Sequence, residues 1–390
     1  MSDPGAATDS LLTGKIRGCL YGGAVGDALG APAEGKRPEE IQARYGGYIL
    51  DFVEPWLGPS TTIKGDGRYT DDTHMVQALG HLYLEAGDHL DVFRFARGIV
   101  AQIADQPRWI PELGREAPLI ERLFYPEKWL LMRLRLANAD PRLGGVGNMV
   151  NCGAAMYAAP VGIVNAGDPR AAYREAIEIF SAHQTSYGLE AAGVFAACVA
   201  EALDPDATIE SVVSTARSLA KEGTAAAIGA VITRAREYHD WCAAIGPLRE
   251  AMRPFDGAAE VYRDRGNGRD DWQPSRERSI EELPIALGFL VVTGGDFEAA
   301  ILGGANYGRD NDSIASMAGA IAGALHGDGV IRPSWIARIN EANRIDLSPL
   351  AEELAALART LQQRQFEEAA NRMHAFVALA APAKGREGGR

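Results

Sequence analysis

Apolar residues recur at helical spacing along most of the chain, and strictly alternating runs are scarce. Met75, Val76, Leu79, Leu82 and Tyr83 mark one helical stripe, and Ala191, Val194, Phe195, Cys198 and Leu203 mark another. The pattern therefore predicts an all-α protein. Glycine and proline clusters interrupt it at 55–67 (PWLGPSTTIKGDG), 143–153 (LGGVGNMVNCG) and 263–274 (RDRGNGRDDWQP), and these are expected to be loops around a site. No repeat of 20–50 residues and no long linker is visible, so residues 12–382 are expected to form a single helical domain. The ends, 1–11 and 383–390, have the composition of frayed tails.

Composition narrows the class. A hydrophobic share of 47% is too high for a disordered chain. A formal net charge of -13, with no block of lysine and arginine, argues against a grip on a nucleic-acid backbone. Cys19, Cys152, Cys198 and Cys242 lie far apart with no CxxC pair, which suits reduced thiols and a cytoplasmic location better than a disulfide frame or a zinc site. The longest apolar stretch, around IALGFLVV, falls short of the roughly 18 residues of a membrane span. The N-terminus also lacks the basic-then-apolar order of a secretory signal.

Two places break the apolar pattern in the same way. At 69–74 the chain reads YTDDTH, and at 306–313 it reads NYGRDNDS; each puts aspartates and a hydroxyl residue (Thr70 or Ser313) at the head of an apolar helix. Capping explains one oxygen at each start, because Asp, Thr and Asn accept from the free amides of the first turn. It does not explain the surplus. Asp71, Asp72, Asp310 and Asp312 with Thr70 and Ser313 match the all-oxygen shell of a hard divalent cation, provided the two segments meet in space. Glycine and alanine at helical spacing in 18–32 (GCLYGGAVGDALGAP) and 319–323 (GAIAG) would let helices approach closely enough for that. The second of these is expected in a short amphipathic helix.

With these blocks in place the chain resembles the ADP-ribosylglycohydrolase family. The likeness runs from GCLYGGAVGDALGAPAEG through YTDDTHM to DFEAAILGGANYGRDNDSIASMAGAIAGALHG. It implies a compact, orthogonal multi-helix fold with a dinuclear Mg²⁺ cleft. Mapped by motif, Thr70, Asp71 and Asp72 would ligate one ion and Asp310, Asp312 and Ser313 the other, with Asp312 touching both. Asp312, Asp72 and Glu34 would be the catalytic acids, Glu34 standing on a mobile loop beside the metals. The implied reaction is Mg²⁺-dependent hydrolysis at C1″ of an ADP-ribosyl compound, a small molecule or a modified protein side chain, with Mn²⁺ as the alternative cation.

The chain departs from the family pattern where the substrate's other half would lie. Arg309 replaces a glycine after Gly308, and it either grips a phosphate, fills part of the pocket or turns to solvent. Asn151, Cys152 and Gly153 stand for Gly-Asn-Gly, and Tyr157 replaces an arginine, although the amides of Gly153 and Ala154 are expected to remain open to a phosphate. His183 matches a Thr-His position near the cleft, with Ala182 in place of the threonine, and either meets the substrate or is a satisfied core or rim residue. His74 is either a ligand for a softer ion or packs behind the site, and Trp272 either covers a nucleobase or packs. These departures leave two alternatives open: a dinuclear-metal glycosidase for a smaller ribosyl or sugar metabolite, and a non-catalytic protein that binds metal or ADP-ribose.

Overall fold

The computed structural model describes residues 10–57, 62–255 and 280–380. The two tails, apart from residues 10 and 11, the 263–274 loop and Trp272 lie outside the described residues. Sixteen helices run through the described part in chain order: α1 (Leu11–Gly30), α2 (Pro38–Tyr45), α3 (Asp71–Ala86), α4 (Val92–Ala104), α5 (Tyr125–Leu130), α6 (Ala159–Val164), α7 (Pro169–Phe180), α8 (Ser186–Ala202), α9 (Ile209–Leu219), α10 (Glu222–Ala235), α11 (Trp241–Met252), α12 (Glu282–Val292), α13 (Phe297–Tyr307), α14 (Asn311–His326), α15 (Pro333–Asn343) and α16 (Ser348–Ala380).

Local chemistry sets many of the boundaries. Ser10 caps α1 at Thr13, so the helix begins at Leu11, inside the stretch expected to fray. Asp91, Asp168, Asp240 and Asp296 cap α4, α7, α11 and α13 through first-turn amides. Gly46 and Gly87 end α2 and α3 in the left-handed conformation that favours glycine. The 55–67 segment is not wholly loop. Trp56–Leu57 (β1) pairs antiparallel with Ile63–Lys64 (β2), and a second small hairpin joins Pro107–Ile110 (β3) to Arg115–Pro118 (β4).

The centre of the molecule is α14. Residues Asn311–Leu325 are buried on every face, so the short amphipathic helix expected there is a core helix instead. It packs on α1, α13, α12 and α8. Around it, α8 carries α6, α7 and α9, while α16 lies over α1, α3 and α6. No helix among the described residues is long and apolar enough to cross a membrane. All four cysteines are free thiols, in keeping with the reduced state read from their spacing.

Candidate active site

Helices α1 and α14 touch backbone to backbone. A Cβ added at Gly22 would lie 2.2 Å from the Gly319 carbonyl, and one at Gly18 would lie 2.3 Å from that of Gly323. The stripe continues through Gly26 against Ala315 and ends with Gly30 against the Asp312 backbone. Spacing of four residues keeps these glycines on one face. Their consequence is positional: the head of α14, with its aspartates, is held against the C-terminal end of α1.

One turn earlier on α1, Asp27 reaches the head of α3. Its carboxylate accepts from the Thr70 and Thr73 amides at 3.0 and 3.1 Å and from their hydroxyls at 2.9 and 2.6 Å. Thr73 supplies the third amide of α3, a group an N-cap side chain would ordinarily take. Asp27 therefore caps α3 from another helix, and Thr70 makes no cap bond of its own. Asp310 makes none at α14 either. Simple capping accounts for neither acidic cluster.

Both clusters face one cleft of about 440 Å³, a volume suited to a small molecule. Asp71, Asp72, Asp310, Asp312 and Glu34 line it. Glu34, Asp310 and Asp312 each place a carboxylate oxygen within 4.8 Å of the other two. Asp72 Oδ1 is buried without a hydrogen-bond partner. Burial pushes the Asp72 carboxyl well above the usual range, and the charges of Asp27, Asp312, Asp71 and Asp310 push it further. Burial likewise raises Asp312, with Glu34 and Asp310 adding to it and Lys64 opposing. Such crowding is resolved by protons or by cations. The donors are all oxygen, which fits a hard divalent ion rather than a thiophilic one.

Cationic side chains offset part of the charge. Lys64, on β2, lies 2.6 Å from Glu34. Arg122 stands 3.3 Å from Asp71 and makes a two-point pair with the fully buried Glu112. The Glu34 loop is tied down at its base: the Arg309 amide donates to Lys36 O at 2.8 Å, and the Gly35 amide to Arg309 O at 2.6 Å. Gly308, at φ +87°, has its missing Cβ position 2.4 Å from Lys36 O, so the close approach of that loop requires glycine.

Several residues expected at the substrate lie elsewhere. Arg309 Nε pairs with buried Glu281 at 3.0 Å, and its side chain is 17% exposed, so it is turned mostly away from solvent. Tyr157 and His183 are wholly buried and bond one another at 2.9 Å. His183 Nε2 donates to Pro126 O at 3.0 Å, because a carbonyl can only accept, and Nδ1 therefore accepts from the Tyr157 hydroxyl. Burial pulls His183 down to about 4, consistent with that neutral ring. The pair braces the cleft wall behind Pro126. The Gly153 amide is not open either: it donates to Asn151 Oδ1 at 3.0 Å, and Ala154 is fully buried. His74 packs its ring edge-on against Tyr69.

Asn151 and Cys152 do line the cleft. Ser313 lies just behind, its hydroxyl 3.7 Å from the Cys152 sulfur. Sequence reading missed Asp27, Glu127, Glu282 and Arg122. Glu127 lines the cleft wall with Phe124, Tyr125 and Met149, and burial, reinforced by Asp71, pushes it up to about 8. Only Asp27 offered a signal, a lone acid inside an apolar helix in GAVGDALG.

Comparison with known proteins agrees with this architecture. The family model described as ADP-ribosylglycohydrolase matches residues 8–365. Similar proteins include the uncharacterized protein YegU of Escherichia coli K12, 27% identical over 91% of this chain and 99% of that one. ADP-ribosylhydrolase ARH3 of Bos taurus is 26% identical (85% and 90%), and ADP-ribosylarginine hydrolase Tri1 of Pseudomonas putida GB-1 is 25% identical (88% and 81%). A solved ADP-ribosylglycohydrolase-related protein complex shares the fold with a TM-score of 0.58 at 20% identity, over 89% of this chain and 99% of its own. A family model that spans almost the whole chain, over a helical fold with one acid-lined cleft, leads to one conclusion: this chain belongs to the ADP-ribosylglycohydrolase family and is a hydrolase.

Proposed function

We propose that this protein hydrolyses the glycosidic bond at C1″ of an ADP-ribosyl compound, with two Mg²⁺ ions in the cleft and Mn²⁺ as the substitute. The observation that carries this reading is the gathering of five carboxylates in one cleft, with Asp72 Oδ1 buried and unpartnered. Thr70, Asp71 and Asp72 would hold one ion; Asp310, Asp312 and Ser313 would hold the other, with Asp312 reaching both. When bound, such ions hold ribose hydroxyls, polarise the scissile bond and lower the pKa of a water.

The chain's own groups do the rest. The Thr70 hydroxyl donates its proton to Asp27, which leaves its lone pairs for a cation. Glu34 faces the cleft beside Lys64 and accepts the proton of the attacking water. The remaining carboxylates supply the negative charge that an oxocarbenium-like transition state requires. Phe124, Tyr125, Met149 and Met156 form an apolar wall that limits competing water.

The relatives named for ADP-ribosylarginine and ADP-ribosyl hydrolysis support the substrate class. One observation favours a second reading, a smaller ribosyl metabolite: the Gly153 amide, expected to cradle a phosphate, is taken by Asn151. The non-catalytic alternative gives way, since the chain belongs to a family of hydrolases and its cleft keeps the full acid set.

The test is turnover of an ADP-ribosylarginine peptide and of ribosylated nucleosides, with Mg²⁺ and with a chelator. Mg²⁺-dependent release of ADP-ribose is expected, and Asp312→Asn should lower kcat by about 10²–10³-fold, the scale of losing a group aimed at transition-state charge, without loss of helical CD. Turnover of nucleosides alone would move the assignment to the second reading. Activity that survives the chelator would refute the metal role.

A further inference from the structure

Cys152, Glu282 and Asp310 converge from three separate elements. Cys152 opens the short 3-10 helix Cys152–Tyr157, Glu282 is the first residue of α12, and Asp310 stands before α14. The Cys152 sulfur and one carboxylate oxygen from each acid all lie within 4.8 Å of one another. All three residues are buried, Glu282 to 2% exposure. The sulfur donates to Asp310 Oδ2 at 3.0 Å, whereas Glu282 Oε1 is buried with no hydrogen-bond partner. Of the three, the ligand sets proposed above use only Asp310. Cys152 and Asp310 line the cleft, so a small ion can reach the group from there.

We propose that Cys152, Glu282 and Asp310 form a further site, sharing Asp310 with the acid cluster, for a thiophilic divalent cation of the Zn²⁺ type, with a fourth position open to the cleft. The inference stands on this geometry and does not depend on the proposed function. A borderline-soft ion gains from a thiolate ligand, while Mg²⁺ does not, so sulfur is the selecting group. Zinc bonds of about 2.3 Å to sulfur and about 2.0–2.2 Å to carboxylate oxygen place tetrahedral donors closer together than the 4.8 Å limit, so the three donors close in on the ion. Binding breaks the S–H bond and forms a sulfur–metal bond; the proton passes to the buffer, and nothing is oxidised or reduced. Where Asp310 also serves the hydrolytic ions, a thiophilic ion bound here would compete with them and inhibit.

Cobalt(II) tests the site because cobalt bound to a thiolate shows a near-ultraviolet charge-transfer band and cobalt bound to oxygen alone does not. Added to the full chain in Mg²⁺-free buffer, it should produce this band with saturation at one ion per chain. Cys152→Ser should abolish the band, while Cys242→Ser, which alters the partly exposed thiol, should leave it unchanged. Loss of a direct ligand should weaken binding at least as much as loss of an outer-shell partner, so Glu282→Gln should raise the cobalt dissociation constant by about tenfold or more. Helical CD checks that each variant is folded. Absence of the band while the chain stays folded, its persistence in Cys152→Ser, or unchanged affinity in Glu282→Gln would overturn the site. The readout is independent of turnover: a missing band with intact Mg²⁺-dependent hydrolysis refutes only this site, and a band without hydrolysis refutes only the proposed function.

Discussion

Asp27 offers the most direct test of how the site is built. Replacing it with alanine removes the acceptor for two buried amides and two hydroxyls at the head of α3. An unsatisfied buried donor costs about 1–3 kcal/mol, so the two amides together account for about 2–6 kcal/mol. Two effects offset part of this. The Thr70 hydroxyl can rotate and take the Thr73 amide as an ordinary cap, which restores about 1 kcal/mol. Removing one charge also relieves repulsion on Asp72 and Asp312. The expected net loss is about 1–4 kcal/mol for Asp27→Ala, and about half as much for Asp27→Asn, which keeps one oxygen but turns an amide group toward donors.

The assay is urea unfolding at pH 7 in the presence of chelator, followed by helical CD, so that bound cations do not enter. If Asp27→Ala proves as stable as the native chain, charge repulsion outweighs the capping bonds. The account of Asp27 as the tie between α1 and α3 would then be wrong.

Gly319→Ala would drive a Cβ to 2.1 Å from the Gly22 carbonyl, where no flexible side chain can yield, and should cost about 3 kcal/mol or more; Gly229→Ala, in α10 with nothing within 4 Å, should instead stabilise by about 0.4–1 kcal/mol. Comparing the two urea midpoints separates helix contact from propensity, and equal effects would refute the contact. Glu127 titrates near 8 in the folded chain against an ordinary 4.5, so its contribution to stability is full below 4.5 and is lost as pH rises through 8. Glu127→Gln should therefore show a flatter decline, leaving the variant more stable than the native chain by a few kcal/mol at pH 9. Parallel pH profiles would show that Glu127 is not held neutral.

The two acidic helix starts could be read from the chain because their excess of oxygens exceeds what one cap per helix requires, and the glycine spacing showed that something must approach closely. The spacing did not show the partner. Only the fold reveals that the stripe Gly18, Gly22, Gly26 and Gly30 meets α14, and that Asp27 between them serves a third helix. The lone acid Asp27 stands out in its apolar stretch but does not name its partners, and Glu127 and Glu282 take their roles from residues far away in sequence. Tyr157 and His183 show a different limit: a position in a motif places a residue near a cleft along the chain but does not say which side of the wall it occupies, and His183 takes the satisfied-core alternative. Both turned inward because Pro126 O offered a buried acceptor, and a histidine–tyrosine pair satisfies it at no cost in charge. The residues that hold the two acidic helix starts together are thus less visible in sequence than the residues expected to do chemistry, because surplus oxygen forms a local pattern and a lone supporting acid does not name its partners.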